Sequence, residues 1–228
     1  MAQQTPKGHR RNGRIQRKAA TKEDVVEFIK DAVIRGKIAP GERIVEAQIC
    51  RDLKVGRSHV REALRHLEQE EFIEIIPHAG AVVKELSQKD VAQIYDLMGV
   101  LEGLSMRIAT PNISDEEIER IESLANAMEK NVDNKFKLFN ANFEFHQRLT
   151  ALGGNTRLIA FMNRIREQTH RMGLQSFYNT EQIQASIIEH REIVNAVKER
   201  DPVKVENLIR NHYLTSKNRL IRYINNTL

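Results

Sequence analysis

Strand-forming patterns are confined to one short segment of this 228-residue chain, and helical patterns fill most of the remainder. Phe72–Ile76 and Ala81–Lys84 are rich in apolar and β-branched residues and flank Pro77–Gly80, which predicts two short strands joined by a turn. Elsewhere apolar residues recur at intervals of three and four, as on one face of an α-helix. Two short strands cannot form a stable core alone, so the sequence predicts a mainly α fold with a small hairpin packed on helices.

Three helices are predicted before the strand pair and six after it, with a domain boundary near Leu86. The six later helices are joined by short connections, which is typical of an antiparallel bundle. Capping motifs mark four of the predicted helix starts: Thr21, Ser87, Ser114 and Asp201-Pro202. The fourth bundle helix is predicted from Asn155 to about Ser176. We therefore expect a winged helix-turn-helix domain at residues 21–86 and an all-helical bundle at residues 87–228.

Positive charge is concentrated at the start of the chain. Residues 1–20 contain no acidic residue, the first of which is Glu23, and six lysines and arginines: Lys7, Arg10, Arg11, Arg14, Arg17 and Lys18. Residues 1–20 contain too little apolar surface to fold and are predicted to be a disordered basic arm, which either seeks phosphate or remains solvated. The single cysteine, Cys50, cannot form an internal disulfide, and no run of about 18 apolar residues is present. We therefore expect a cytoplasmic protein that does not enter the membrane.

The segment Val55–Leu67 has helix-turn-helix proportions, with a tight turn followed by a helix that begins with long hydrogen-bond donors. Arg57 and Arg61 are four residues apart and share a helix face, with Ser58 and His59 beside them. The first turn of such a helix faces base edges in the major groove of DNA. The pattern therefore predicts a recognition helix, although a solvated basic face on an ordinary helical domain would give a similar pattern.

Arg65 and the strand pair extend this predicted DNA-binding surface. Arg65 continues the basic face of the helix and is expected to contact phosphate. His78 and Gly80 lie at the tip of the hairpin, where they would let the backbone of this wing approach a groove closely. The opposite face of the helix is apolar and is expected to be buried: Val60, Ala63, Leu64 and Leu67.

The motifs Ile38–Ile44, Val60–Leu67 and Gly80–Val83 resemble the winged helix-turn-helix domain of the GntR family of bacterial transcription regulators. The resemblance spans approximately Lys22–Leu86. It implies operator contacts at positions that commonly touch DNA in the family: Arg57, Ser58, His59, Arg61, His78 and Gly80. Ala47 stands where some relatives carry an arginine, which implies that one family contact is missing.

Four histidines fall in the predicted bundle: His146, His170, His190 and His212. Asn142 and His146 are four residues apart and therefore lie on one helix face, while His190 and His212 belong to two later helices. Three imidazoles from three helices would suit a borderline-soft cation such as Zn²⁺. The spacing does not establish that they converge, so a surface or hydrogen-bonded core role stays open for each.

The bundle resembles the FCD effector domain of the FadR subfamily. The residues that carry this resemblance are Asn142–His146, Gly154-Asn155, Glu189-His190 and Arg210–His212. Members hold a divalent metal with an aspartate and three histidines, so the resemblance implies Zn²⁺ or Ni²⁺ at His146, His190 and His212. Asn142 stands in the aspartate position and offers only a neutral oxygen, which predicts a weaker site. His170 matches no ligand position and is expected at the surface.

The resemblance also implies a small-molecule effector, often a carboxylate. Met98 stands where many members carry an arginine, and methionine cannot pair with a carboxylate. Either a more apolar ligand binds, or another arginine such as Arg107 or Arg164 takes that role. Simple core packing is the alternative role for Met98.

The sequence therefore predicts a homodimeric, ligand-responsive transcription regulator that binds a double-stranded operator, with repression as the default mechanism. One alternative is a constitutive dimeric DNA-binding regulator with no functional effector site. Another is a metalloenzyme with Glu144 or Glu189 as general base. A metalloenzyme would leave the recognition helix without a role, and no nucleophile–base constellation is present, so we expect that the protein is not an enzyme.

Overall fold

The computed structural model describes residues 20–170 and 180–227, which form nine α-helices and two β-strands. The N-terminal part contains α1 (Lys22–Ile34), α2 (Glu46–Leu53), α3 (Arg57–Gln69), β1 (Ile73–Ile76) and β2 (Gly80–Val83). The C-terminal part contains α4 (Gln88–Ala109), a 3-10 turn (Thr110–Asn112), α5 (Asp115–Lys130), α6 (Lys135–Leu152), α7 (Thr156–His170), α8 (Thr180–Lys198) and α9 (Pro202–Thr227). The predicted mainly α fold with one small sheet is confirmed. Residues 1–19 of the predicted basic arm, and the predicted helix end near Ser176, lie outside the described residues.

The first three helices and the sheet share one hydrophobic core. α1 begins at a capping box, in which Thr21 Oγ1 accepts from the amide of Asp24 at 3.3 Å and the Asp24 carboxylate accepts from the amide of Thr21 at 2.6 Å. The predicted apolar face of α3 is buried, as expected: Val60, Ala63, Leu64 and Leu67. These residues share the core with Val25 and Ile29 of α1 and with Phe72. Burial of this face fixes α3 and leaves its other face in solvent.

The two strands form an antiparallel hairpin whose tip turns through unusual backbone conformations. Ile73 pairs with Val83, and Ile76 pairs with Gly80. His78 and Gly80 have φ angles of +65° and +90°, in the left-handed region that favours glycine. A β-carbon at Gly80 would lie 3.3 Å from Arg43 Nε, so the glycine lets the Arg43 guanidinium lie against the wing.

The helices from α4 onward form the predicted bundle, and local capping explains where several begin. The predicted start of α9 is confirmed, because Asp201 Oδ1 accepts from the amides of Val203 and Lys204 at 3.1 and 2.9 Å. The expected capping box at Ser114 forms only in part, because the Glu117 carboxylate accepts from Arg148 Nε at 2.7 Å instead. Among the described helices, none combines the length and the apolar character needed to cross a membrane.

Two glycines let α9 approach α4 closely. A β-carbon at Gly99 would lie 3.1 Å from the β-carbon of Tyr213, and one at Gly103 would lie 3.2 Å from Glu206 Cγ. Both distances are tighter than ordinary van der Waals contact, so larger residues would push the helices apart. The close approach brings the Tyr213 hydroxyl to 3.0 Å from Glu102 Oε2 in the centre of the bundle.

Candidate DNA-binding surface and candidate metal centre

The first turn of α3 presents polar side chains to solvent on the side opposite the core. The side chains placed there are Arg57, Ser58, His59 and Arg61, and Arg65 is exposed one turn later. Gly56 caps this helix without a side-chain hydrogen bond, so the amide groups of the first turn are not covered by a cap. A helix end of this kind binds phosphate, and arginines beside it can donate to base edges.

Arg61 makes an ion pair within the domain. Its Nε lies 3.3 Å from Glu46 Oε2 on α2, and both side chains are exposed. Exposed pairs of this kind contribute at most about 1 kcal/mol, so a phosphate or base can replace Glu46 at small cost. The Arg61 guanidinium is therefore oriented by Glu46 but remains able to donate elsewhere.

His78 and Gly80 lie at the tip of the wing together with Arg43, a residue for which the sequence predicted no role. Arg43 forms an isolated β-bridge to Val82, and its guanidinium lies against Gly80. Arg43 belongs to the motif Ile38–Ile44, which carried the family resemblance. Its place at the wing depends on the long-range bridge, which no local pattern predicts.

Three imidazoles from three different helices meet in the core of the bundle. His146 of α6, His190 of α8 and His212 of α9 are all buried, and one ring nitrogen from each lies within 4.8 Å of those from the other two. The Nε2 atoms of His146 and His190 are 3.1 Å apart. The structure thus brings together three residues whose sequence spacing left their convergence open.

Two of these rings each donate a hydrogen bond to a carboxylate. Glu102 Oε1 accepts from His146 Nδ1 at 2.7 Å, and Glu189 Oε2 accepts from His212 Nδ1 at 2.7 Å. Because each Nδ1 carries the proton in these bonds, each Nε2 keeps its lone pair. Sequence reasoning missed Glu102 and considered Glu189 only as a catalytic base. The available signal for Glu102 was an acidic residue four positions after Met98, on the apolar face of a predicted helix.

Glu102 is the centre of a buried hydrogen-bond network. Its Oε2 accepts from Arg166 Nη2 at 2.8 Å, from the Tyr213 hydroxyl at 3.0 Å and from Thr150 Oγ1 at 3.0 Å. Burial alone would raise the pKa of the Glu102 carboxyl, but His146 and Arg166 outweigh it and hold that pKa below its ordinary value. Glu102 is therefore a buried anion whose charge is offset by Arg166.

Burial keeps two of the histidines, His146 and His190, in their neutral form. Burial lowers the pKa of His146 by more than Glu102 raises it. Burial, with His212 and His146 nearby, lowers the pKa of His190 well below its ordinary value. The Nδ1 atom of His190 lies near the Ser186 carbonyl but completes no hydrogen bond of normal geometry within the described residues. Neutral imidazoles are the form that binds a metal.

A cavity of about 130 Å³ is lined by two of the three rings, those of His146 and His212. Residues that line it include Met98, Asn142, Arg166 and Arg219. Arg166 donates to Glu102 as described above, and Arg219 pairs with Glu189. The arginines at this cavity are therefore not the two that the sequence suggested. Arg107 pairs with Glu206 at 2.7 Å and is exposed, and Arg164 is exposed on α7.

The donor set fits a borderline divalent cation. Three imidazoles, two of them hydrogen-bonded to carboxylates, are typical of zinc and nickel sites. At a metal–nitrogen distance of about 2.0–2.1 Å, nitrogens 3.1 Å apart subtend roughly 100° at the ion, near the tetrahedral angle. Asn142 lines the same cavity one turn before His146 and can offer its amide oxygen. The side chain of His170 lies outside the described residues.

Comparison with known proteins follows the same division of the chain. A family model described as the FCD domain matches residues 93–215, and one described as bacterial regulatory proteins, gntR family, matches residues 21–83. The chain is 26% identical over 188 residues to the uncharacterized HTH-type transcriptional regulator YdhC of Bacillus subtilis, with 81% of this chain and 84% of YdhC covered. It is 24% identical over 213 residues to the HTH-type transcriptional repressor NanR of Klebsiella aerogenes, with 83% and 81% covered.

Solved structures share the fold along most of the chain. A putative transcriptional regulator GntR from Rhodococcus sp. RHA1 matches with a TM-score of 0.79 and 20% identity, covering 88% of this chain and 97% of that one. E. coli McbR/YncC matches with a TM-score of 0.78 and 16% identity, covering 91% and 99%. At these identities the likeness shows the fold and carries no ligand or site from one protein to the other.

Proposed function

The chain belongs to the GntR family of bacterial transcriptional regulators and carries an FCD domain, and we propose that it is a ligand-responsive repressor in which residues 87–228 control operator binding by residues 21–86. Like its relatives, it is a DNA-binding transcriptional regulator and not an enzyme, which removes the metalloenzyme alternative. Relatives named as repressors, NanR among them, support repression. The three-histidine cluster, with carboxylates behind two of its rings, is the observation that carries ligand control. The proposed location is the cytoplasm.

The proposed operator contacts combine the first turn of α3 with the wing. Arg57, Ser58, His59 and Arg61 would face base edges, because they are exposed at the N-terminal end of α3. The contacts assigned to phosphate and groove walls are Arg65, His78 and Gly80, to which Arg43 is added from its position at the wing. Phosphate contacts set affinity, and base contacts set sequence preference.

Arg57→Ala should weaken binding to the preferred operator and relax its sequence preference, by about 1–3 kcal/mol or roughly 5- to 150-fold. The operator would first be selected from random duplex DNA by the full-length protein, and dissociation constants would then be measured by fluorescence anisotropy. Arg65→Ala is the matched control, because loss of a phosphate contact should weaken all sequences about equally and reduce the salt dependence. Equal effects of both variants on preferred and random DNA would contradict the assignment of Arg57 to base contacts.

We propose that His146, His190 and His212 hold Zn²⁺ or Ni²⁺ together with the amide oxygen of Asn142. Support comes from the short separation of the ring nitrogens, the neutral state of His146 and His190, and the carboxylates that orient the rings of His146 and His212. Such an ion supplies a Lewis acid to which an oxygen ligand can bind. The constitutive alternative, in which the cavity holds nothing, predicts that no ion accompanies the purified protein.

The charges around the cavity favour an acidic effector. Glu102 and Glu189 offset Arg166 and Arg219, so a divalent ion would add two positive charges with no counterpart. A buried net charge is costly, and an anion would relieve it. In addition, Arg166 Nη1 is buried and has no hydrogen-bond partner among the described residues. We propose a small organic acid, because about 130 Å³ is far below the roughly 300–1,000 Å³ of drug-sized pockets.

The two departures from the family pattern compensate for each other. Asn142 removes one negative charge from the expected ligand set, and Met98 removes one positive charge from the lining of the same cavity. The net charge of the site is therefore unchanged, and Arg166 takes over the role of anion donor. Met98 is buried and packs at the edge of the cavity.

A stripe of exposed apolar residues on α4 supports the proposed homodimer. The residues of this stripe recur at intervals of three and four, and each is between 39% and 50% exposed: Leu97, Val100, Leu104 and Ile108. One continuous apolar helix face is unusual in a monomer. A second copy related by a twofold axis would cover the stripe with its own and would present two recognition helices to a near-palindromic operator.

Leu104→Glu should convert the dimer into a monomer of 26.3 kDa, because it places a charge in the centre of the apolar stripe. Light scattering coupled to gel filtration would measure the mass at micromolar concentration. Ile188→Glu is the matched control, since Ile188 is exposed on α8 and should leave the dimer intact. A Leu104→Glu protein that keeps the mass of the unaltered protein would exclude the stripe as the interface.

A further inference from the structure

Lys30 connects the DNA-binding domain to the bundle through three elements. Its Nζ lies 2.9 Å from Glu70 Oε2 and 2.6 Å from Glu167 Oε2. Lys30 belongs to α1, Glu70 is the C-cap residue of α3, and Glu167 belongs to α7. The ammonium also lies 5.8 Å from the centre of the Phe72 ring, in the core of the winged domain. One cation thus ties the end of the recognition helix to a helix of the bundle.

This ionic contact is sheltered from solvent. Only 17% of the Lys30 side chain is exposed, and both glutamates are mostly covered. Burial alone would lower the pKa of Lys30, but the two glutamates outweigh it and raise that pKa, so the ammonium stays charged. Salt screens covered pairs less than exposed ones, so this contact should depend less on ionic strength than an exposed ion pair would.

Glu167 directly follows Arg166, and the two side chains leave α7 about 100° apart. Arg166 turns into the bundle, where its Nη2 donates to Glu102 Oε2 at 2.8 Å and to Thr150 Oγ1 at 2.9 Å. Glu167 turns toward α1 and holds Lys30. Because a helix moves as a rigid element, a shift of α7 that accompanies a change in the hydrogen bonds of Arg166 would also displace Glu167.

We propose that Lys30 is the residue through which the histidine cavity controls the recognition helix. A rearrangement of Arg166 at the cavity shifts α7, Glu167 carries that shift to Lys30, and Lys30 carries it to Glu70 at the end of α3. Two arrangements result, with Lys30 held either by both glutamates or by Glu70 alone, and they orient α3 differently. Because this relay rests on the ligand-responsive function proposed above, its test has one arm that needs a ligand and one that does not.

The first arm uses Zn²⁺ as the probe and hydrogen–deuterium exchange of the full-length protein as the readout. In the unaltered protein, Zn²⁺ should change exchange in the last turn of α3 by about five-fold, at the low end of known allosteric couplings. Lys30→Met and Glu167→Gln should still bind Zn²⁺ with affinity unchanged within about two-fold, but the exchange response should be confined to the bundle.

Arg35→Gln is the matched control for loosening of the two domains. The Arg35 guanidinium lies 3.7 Å from the centre of the Phe136 ring on α6, so it also joins α1 to the bundle, but outside the proposed relay. This variant should keep the response of α3 to Zn²⁺. A full response in Lys30→Met, or a response lost equally in Arg35→Gln, would overturn the relay.

The second arm replaces the ligand with Thr150→Val, which removes a hydrogen-bond acceptor of Arg166 without changing side-chain volume greatly. Thr150→Val should alter exchange at the end of α3 in the unaltered background and should have no such effect in Lys30→Met. Distant sites that share no partner normally act additively, so equal effects in both backgrounds, or none in either, would overturn the relay. A protein that binds no Zn²⁺ would refute the proposed metal site alone, since this arm still decides the relay.

Discussion

Glu102→Gln should destabilise the bundle by about 3–5 kcal/mol, the cost of leaving a buried charge without its partner. Glu102 is 0% exposed, and its carboxylate is the counter-charge of Arg166. Glutamine keeps the shape but loses the charge, and its amide nitrogen would face groups that themselves donate hydrogen bonds. Urea unfolding followed by circular dichroism would measure the loss as a lower midpoint at an unchanged slope.

Tyr213→Phe separates the loss of charge from the loss of a hydrogen bond. Its hydroxyl donates to the same Glu102 Oε2 at 3.0 Å, so its removal takes one neutral donor from the network. The expected cost is about 1 kcal/mol, the usual net value of one hydrogen bond. Similar small losses in both variants would show that Arg166 does not depend on Glu102 for its charge balance.

Local patterns predicted the fold because the residues responsible act within one helical turn. Thr21 and Ser87 each cap a helix through a partner three residues later, and both capping boxes are present in the structure. The spacing of apolar residues likewise predicted the buried face of α3, because burial of one stripe of a helix determines which residues face solvent. Ser114 is the exception, because the distant Arg148 takes the carboxylate that would have completed its box.

The cavity was harder to predict because contacts between helices that are distant in the sequence determine which polar residues line it. Arg164 and Arg166 are two positions apart, hence about 200° apart around α7, so a small error in helix phase exchanges an exposed arginine for the buried one. Glu102 acquires its role from His146 and Arg166, which lie 44 and 64 residues away. Lys30 and Glu167 are separated by 137 residues, and nothing local to either marks their contact.

The family resemblance predicted which histidines belong together, which their spacing in the sequence could not. The structure adds the carboxylates and arginines around them. His146, His190 and His212 were matched residue by residue, and they do lie together in the bundle. The carboxylates that accept from His146 and His212, and the arginines that pair with those carboxylates, are brought there by the packing of α4, α7, α8 and α9.

His190→Ala should lower Zn²⁺ affinity by at least about 100-fold. Loss of a residue that only supports a metal ligand costs up to about 100-fold in affinity, and here the ligand itself is lost. His190 is the best choice, because His146 donates to Glu102 and His212 donates to Glu189, so substitution of either would also remove a hydrogen-bond donor from a carboxylate. No carboxylate supports His190 in the described structure. The variant therefore reports loss of the ligand with the charge network intact.

The measurement pairs metal content with thermal stability. Tag-free protein purified without chelators should carry about one ion per chain by elemental mass spectrometry, and His190→Ala should carry none. An ion at 1,000 times its dissociation constant adds about 4.1 kcal/mol to the folded state, so Zn²⁺ should raise Tm in the unaltered protein and not in the variant. Each protein is compared with its own metal-free form, which cancels the packing cost of the alanine. His59→Ala, on the exposed face of α3, should leave both quantities unchanged.

Asn142→Asp extends this prediction to the residue that departs from the family pattern. A carboxylate in place of the amide should tighten Zn²⁺ binding, because it adds a negative charge beside the ion. If the unaltered protein holds no ion while Asn142→Asp holds one, the asparagine has switched the site off, and the constitutive alternative describes the natural protein. If both hold an ion, three imidazoles suffice, and the excess positive charge then requires the acidic effector that we propose.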